Sequence, residues 1–475
     1  MVFSSILFLW ALFPVILVIY YLPLPRSKAE HRLKLQNFML VVFSLFFYAW
    51  GEPKYIFLML FSVLINFSFG LLIEQKKQKS LLLALCVAAN LLLLGYFKYF
   101  NFFINTIEDF AELAHMDLTL AVPAITLPIG ISFFTFQIMS YIFDVYQNKV
   151  EVQKNILDLA LYIMLFPQLI AGPIVRYIDV NREIKQRRTS LNMVHDGLIR
   201  FMIGFNKKIF LANGMGYVAD TIFSEIHLVN TPHAWLGAIC YALQIYMDFS
   251  SYSDMAIGLG KLFGFHFLEN FDYPYISTSI KEFWRRWHIS LSSWFRDYVY
   301  IPLGGNRHGK TATYRNLMIV FILTGFWHGA NWTFIFWGLF HGCFLILERG
   351  KFGSLLNKLP GIAKRCYTLV VVLIGWVFFR CDSFGEAVNY IRAMFAFDFS
   401  GMQRLTVTEC LTPLFWTLFV LSLFGSLPII PKLKQAAEKN PTAACFAEMG
   451  LLGLFAYAVC YMVGADFNPF IYFRF

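Results

Sequence analysis

Residues 317–347 read LMIVFILTGFWHGANWTFIFWGLFHGCFLIL, a run with no formally charged side chain. At its centre, residues 326–332 read FWHGANW. Burying an imidazole or an amide away from water is costly unless the group is paired or put to use. The run therefore sets His328 and Asn331 in apolar surroundings and asks what they do there. Both flanks are basic, NRHGKTATYR at 306–315 and RGKFGSLLNKLPGIAKR at 349–365. Lys and Arg mark the cytoplasmic side of a membrane protein. The run is too short for two full spans of about 20 residues each. Two geometries fit: two short helices meeting near Gly329–Asn331 part-way into the membrane, or one full span with an interfacial piece.

The rest of the chain has the same character. Of 475 residues, 58% are hydrophobic and 14% charged, against about 25% charged in a soluble domain. Mean hydropathy is +0.60. The expected fold class is all-α: a polytopic membrane protein with about 10–12 membrane helices, some re-entrant or broken. The opening MVFSSILFLWALFPVILVIYYL lacks a basic leader and a small-residue cleavage site, so it reads as a first span. No linker or repeat divides the chain, so 1–475 is expected to be one domain with a histidine-containing core at about 244–348.

Loop charge gives a topology. RSKAEHRLK (26–34), EQKKQK (74–79) and QNKVEVQKN (147–155) read as cytoplasmic, and NTIEDFAELAHMD (105–117) as an outer loop. The segment LALYIMLFPQLIAGPIV (159–175) is long enough to cross, yet basic RYIDVNREIKQRR follows it. Pro167, Gly172 and Pro173 interrupt it, so it reads as re-entrant or broken. Farther on, 366–380 goes out, about 413–430 returns to KLKQAAEK, and about 446–464 goes out to the tail ADFNPFIYFRF. The +10 net charge is absorbed by such loops and gives no reason to expect a nucleic-acid partner. None of the eight cysteines forms a CxxC, and no histidine has metal-ligand spacing, so neither a disulfide framework nor a metal site is read.

Two further stretches carry chemistry-bearing residues. Residues 281–304, KEFWRRWHISLSSWFRDYVYIPLG, are aromatic and basic, which suits an interfacial anchor and supplies a second histidine, His288. Residues 244–265, QIYMDFSSYSDMAIGLGKLFGF, hold Asp248 and Asp254 among serines and glycines. They read as polar glue on a helix-packing face or as functional carboxylates. His341 follows His328 at a spacing without metal character.

WHGANW, with the upstream WRRWHISLSSWFRDYVYIPLGG, resembles the membrane-bound O-acyltransferase family, in its bacterial alginate-acetylation-like branch. LGYFKYFNFF (94–103), LPIGISFFTFQIMSYIFDVY (127–146), FPQLIAGPIVRY (166–177), QIYMDFSSYSDMAIGLG (244–260), GWVFFR (375–380) and the ending IYFRF extend the likeness over nearly the whole chain. The resemblance implies acyl transfer through a buried central tunnel, in the bacterial cytoplasmic (inner) membrane. The family's catalytic histidine falls on His328 and its second signature position on His288. The implied donor is acetyl-CoA, used as substrate with no bound cofactor; the related teichoic acid branch would instead use a D-alanyl carrier protein on the cytoplasmic side. The implied partner is an extracytoplasmic SGNH-type acetyltransferase or similar acceptor.

Acyl transfer from a thioester to a hydroxyl needs a base for the hydroxyl proton, and a neutral imidazole suits it. Oxyanion donors would come from Asn331, Trp332 or His288. Asn331, Trp327, Trp332, Trp287, Arg285, Asp248 and Asp254 are the candidates to line the substrate and donor path. For Lys98, Asp248, Asp254, Arg285 and Arg296 the structural reading carries more weight. Three rivals remain: a transporter or flippase, which would tolerate Asn or Gln at position 328; a long-chain lipid or protein acyltransferase; and a scaffold that docks an outer transferase.

Overall fold

The computed structural model describes residues 1–22, 29–75, 77–120, 122–400, 409–429, 431, 435, 439–464, 467–468 and 470–471. The basic residues 26–28, most of KLKQAAEK, and positions 465–466, 469 and 472–475 of the tail lie outside these. Every regular element among the described residues is helical. Five helices are long and apolar enough to cross a membrane: 30–51, Ile56–Gln75, Lys79–Leu113, Gly361–Arg380 and Pro441–Gly464. Two shorter apolar helices, Phe8–Tyr21 and Pro413–Gly425, join them. The chain forms two compact units, residues 1–195 with 259–268, and residues 196–258 with 269–475.

The first unit is built on α1 (Phe13–Tyr21), α2 (Ala29–Gly51), α3 (Ile56–Gln75) and α4 (Lys79–Leu113). Ser62, Asn66 and Gly70 recur every four residues on the buried face of α3. Asn66 and Asn90 exchange amide hydrogen bonds of 3.0 and 2.8 Å between α3 and α4. Such pairs fix helix contacts where lipid offers no hydrophobic drive for association. The expected outer loop 105–117 is a correction: α4 continues to Leu113, and only then does the chain turn through His115 at φ 56°. No Gly or Pro falls between Gly95 and Leu113, so nothing in NTIEDFAEL stops the helix.

After α5 (Ile131–Tyr146), residues 159–175 form the broken element anticipated from their prolines and glycine. Helix α6 (Ile156–Met164) ends at Leu165, α7 (Phe166–Leu169) is one turn, and Gly172 turns at φ 99°. All of 159–175 is buried. Its polar groups are met from within the protein. Phe166 N donates to Ser44 Oγ at 3.1 Å, and the Tyr162 hydroxyl lies 3.0 Å from the carbonyls of both Gln137 and Val175. Irregular backbone at membrane depth requires this. Helix α8 (Tyr177–Gln186) follows, and Arg187 then turns inward to donate to the Phe263 carbonyl at 2.9 Å.

The second unit takes in part of α9 (Leu191–Asn206), then α10 (Asn213–Phe223) and most of α11 (Thr231–Leu262). Two short helices follow, α12 (Ile280–Arg286) and α13 (Ile289–Phe295). The opening run becomes a hairpin, α14 (Gly309–His328) and α15 (Trp332–Arg349), broken at Gly329–Asn331 as the sequence suggests. The expectation of two short helices is corrected in length. Helix α14 starts eight residues before the apolar run, so the pair spans 20 and 18 residues, about 30 and 27 Å. Glycines let the two backbones touch: a Cβ on Gly338 would stand 2.2 Å from the Phe321 carbonyl, and one on Gly325 2.3 Å from that of Phe334. The unit is completed by α16 (Lys351–Asn357), α17 (Gly361–Arg380), α18 (Phe384–Phe395), α19 (Pro413–Gly425) and α20 (Pro441–Gly464).

Candidate active site

Ser279 caps α12 by accepting from Glu282 N at 3.1 Å, and the Glu282 carboxylate reaches back to Thr278 N at 2.9 Å. The helix ends at Trp287, and His288 starts α13 from the left-handed region at φ 44°. That conformation is uncommon for a side chain larger than glycine and persists only where surroundings hold it. Asn270 holds it. Its carbonyl accepts from Ile289 N at 2.9 Å, and its Oδ1 accepts from Ser290 N at 3.2 Å and Ser290 Oγ at 2.8 Å. Its Nδ2 donates to Ser253 Oγ at 3.3 Å. The backbone donor fixes Oδ1 as the acceptor, so His288 Nδ1, 3.1 Å from it, is the protonated nitrogen of a neutral ring. Nε2 of His288 then carries the lone pair.

His328 is the last residue of α14 and only 6% exposed. Three rings meet its imidazole edge-on: Trp327 at 5.0 Å, Trp337 at 5.1 Å and Phe379 at 5.1 Å between centroids. Trp327 also faces His288, at 6.1 Å. The two histidines are thus brought to one indole from separate stretches of sequence. Phe249 of α11 closes the other side of His288 at 4.6 Å.

The remaining sequence candidates divide. Trp287 lies beside His288 but packs its ring against Phe271, Phe283 and Trp376. Asn331 caps α15 by accepting from Thr333 N, and its Nδ2 donates to the Asp382 carbonyl at 2.8 Å, so its amide is committed to the turn. Trp332 is 53% exposed. Arg285 lines a cavity of about 530 Å³ with Lys281 and Arg286. Asp254 pairs with Arg200 and Lys207. Asp248 pairs with Lys208 at 2.8 Å, both buried, and accepts from Ile471 N of the tail at 2.8 Å. Arg296 pairs with Asp297, and Lys98, in the first unit, reaches Ser132 Oγ at 3.3 Å. His341 is buried against Trp284 and Trp337 and covers Gly375.

A family model, the membrane-bound O-acyltransferase (MBOAT) family, matches residues 42–366. The chain belongs to that family. Membrane-bound O-acyltransferases are enzymes, and this chain is an acyltransferase by membership. It is 39% identical over 511 residues, covering all of both chains, to the probable alginate O-acetylase AlgI of Azotobacter vinelandii. It is 36% identical to the peptidoglycan O-acetyltransferase of Helicobacter pylori, over 83% of this chain and 80% of that one. A weaker likeness, 32% over 46% of this chain and 56% of the other, links it to the teichoic acid D-alanyltransferase of Streptococcus thermophilus. For this acyltransferase, sequence reading missed Asn270, Trp337 and Phe379. A hairpin centred on Gly329–Asn331 carried the signal for Trp337, because it folds α15 back along α14. Asn270 and Phe379 meet the histidines only through the tertiary fold.

Proposed function

We propose that this acyltransferase moves an acetyl group from cytoplasmic acetyl-CoA across the bacterial inner membrane to a hydroxyl of an extracytoplasmic polysaccharide, directly or through an SGNH-type partner. The observation that carries the reading is a buried histidine at the turn of a helical hairpin, walled by aromatic rings and joined to a second histidine through Trp327. The full-length likeness to alginate O-acetylases and the long likeness to a peptidoglycan O-acetyltransferase support acetyl as the group and a glycan as the acceptor. The shorter D-alanyltransferase likeness keeps a carrier-protein donor as the second reading. In this reading 1–475 acts as one acyltransferase domain and its chemistry falls in the 244–348 core.

A donor site at the far end of the hairpin fits acetyl-CoA. There a cavity of about 630 Å³ is lined by Lys281, Lys310 and Arg349. None of the ion pairs among the described residues includes these three cations, which leaves them for phosphate oxygens. The cavity's Glu348 is otherwise engaged, accepting from Ile280 N and Lys281 N at the start of α12.

In the reaction, His328 takes the proton of the acceptor hydroxyl as its oxygen attacks the thioester carbonyl. The C–O bond forms, the C–S bond breaks, and the proton passes to the departing thiolate, giving an ester and free CoA. Water-poor aromatic walls limit competing hydrolysis. The indole N–H of Trp337 is buried with no hydrogen-bond partner among the described residues, which suits it to the carbonyl oxygen as negative charge builds there. His288, held by Asn270, orients the donor or acceptor. The test is label transfer from radiolabelled acetyl-CoA on the cytoplasmic face of proteoliposomes. The wild type should release label from CoA, and His328→Ala should lose transfer by about 10²–10⁴. Full transfer by His328→Ala would end the role of His328 as the base, whereas failure of the wild type with every donor and partner tested would favour transport. Label moving only from a D-alanyl carrier would shift the donor to the second reading.

A further inference from the structure

At the opposite end of the hairpin from the basic cavity, a smaller cavity of about 190 Å³ opens beside the His328 turn. Gly329, the residue after His328, lines it, and so does Phe379, whose ring packs on the imidazole. The cavity thus borders both the residue that follows His328 and the ring that packs on its imidazole. Two buried side chains of its lining keep a polar atom without a hydrogen-bond partner among the described residues: Arg380 Nε and Thr333 Oγ1. Arg380 is 9% exposed and Thr333 1%. Buried polar groups are ordinarily satisfied, and an orphaned one is destabilising unless a bound group completes it.

The lining also defines what would complete it. Arg380 Nη2 is already paired with Asp220 at 2.6 Å, so its charge is answered within the protein. The other charged lining residue is Asp382, which disfavours an anion. The remaining chemistry is a guanidinium N–H, a hydroxyl, and the aromatic faces of Tyr241, Phe334 and Phe379. That combination takes an uncharged ring rich in hydroxyls, with oxygens for the donors and C–H faces for the rings. The cavity, about 190 Å³, is on the scale of a single ring.

We propose that this cavity is the acceptor subsite, which holds a single uncharged sugar ring through Arg380 and Thr333 and offers one of its hydroxyls to His328. This rests on the acyl-transfer reading above, and the experiment separates the two. Methyl glucopyranoside is the probe, with full-length protein in detergent or proteoliposomes. Its binding is measured first without any donor, by saturation-transfer NMR, for the wild type, Thr333→Val and Arg380→Lys. Its acetylation is then measured with acetyl-CoA. Val matches the shape of Thr and removes the orphaned hydroxyl, so a purely structural Thr333 predicts an equally stable or more stable protein with unchanged sugar affinity. The subsite predicts instead a three- to tenfold weaker Kd, about one hydrogen bond, with a matching rise in KM for the sugar and little change in kcat. Arg380→Lys should act in the same direction. Sugar binding that depends on Thr333 but yields no acetylation supports the subsite and counts against the acyl-transfer reading. No sugar binding by the wild type, or Thr333→Val with unchanged affinity, overturns the subsite.

Discussion

Asn270 illustrates how much a single side chain can decide. Through one amide and its own carbonyl it fixes the Ser290 backbone, the Ser290 hydroxyl, the Ile289 amide and the tautomer of His288. Asn270→Ala should therefore lower kcat more than it raises KM and should cost about 1–3 kcal/mol in thermal unfolding, because buried donors lose their acceptor. His288 itself was legible, as an ionisable residue in an aromatic amphipathic stretch. Asn270 was not, because an amide in a loop breaks no hydrophobic pattern. Trp337 gives a second test at this scale. Trp337→Phe keeps a ring against His328 and removes only the N–H; if that N–H stabilises the oxyanion, kcat should fall by about 10²–10³ with the protein intact. A loss under threefold would assign Trp337 to packing alone.

Among the elements, the hairpin of α14 and α15 depends on the absence of side chains. Gly338→Ala would drive a methyl into the Phe321 carbonyl, so this variant should lose monodisperse protein in fluorescence-detected size exclusion and lower the unfolding temperature. Gly95→Ala on α4 meets nothing within 4 Å and should be neutral or stabilise by up to about 1 kcal/mol. The same contrast explains what sequence reading recovered. The break at Gly329–Asn331 and the interruption at 159–175 were visible because Gly and Pro punctuate them. The true start of α14 was not, because its first residues are polar and join the helix only by packing at the hairpin base. The run of α4 through 105–113 was misjudged for a related reason: acids mark a side of the membrane but do not end a helix.

For the molecule as a whole, the buried Lys208–Asp248 pair joins two ends of the second unit. Asp248 receives Ile471 N, Tyr252 stacks on Phe470 at 4.9 Å, and Asn213 reaches the Phe467 carbonyl. Over its described residues the tail packs onto the second unit, with Phe470 and Ile471 buried. Lys208→Met alone should destabilise by about 3–5 kcal/mol, and Lys208→Met with Asp248→Leu should recover part of that, since removing both charges costs less than stranding one. The two-unit division also bears on how the chain is made. Residues 259–268 belong to the first unit, and Arg187 and Tyr20 both bond to the carbonyl of Phe263. The first 195 residues leave the ribosome without that segment. At about 5–20 residues per second the missing piece follows roughly 4–15 s later. During that interval the Arg187 guanidinium has no Phe263 carbonyl to meet, so the nascent chain passes through a stage in which its amino-terminal half is inserted but not yet closed.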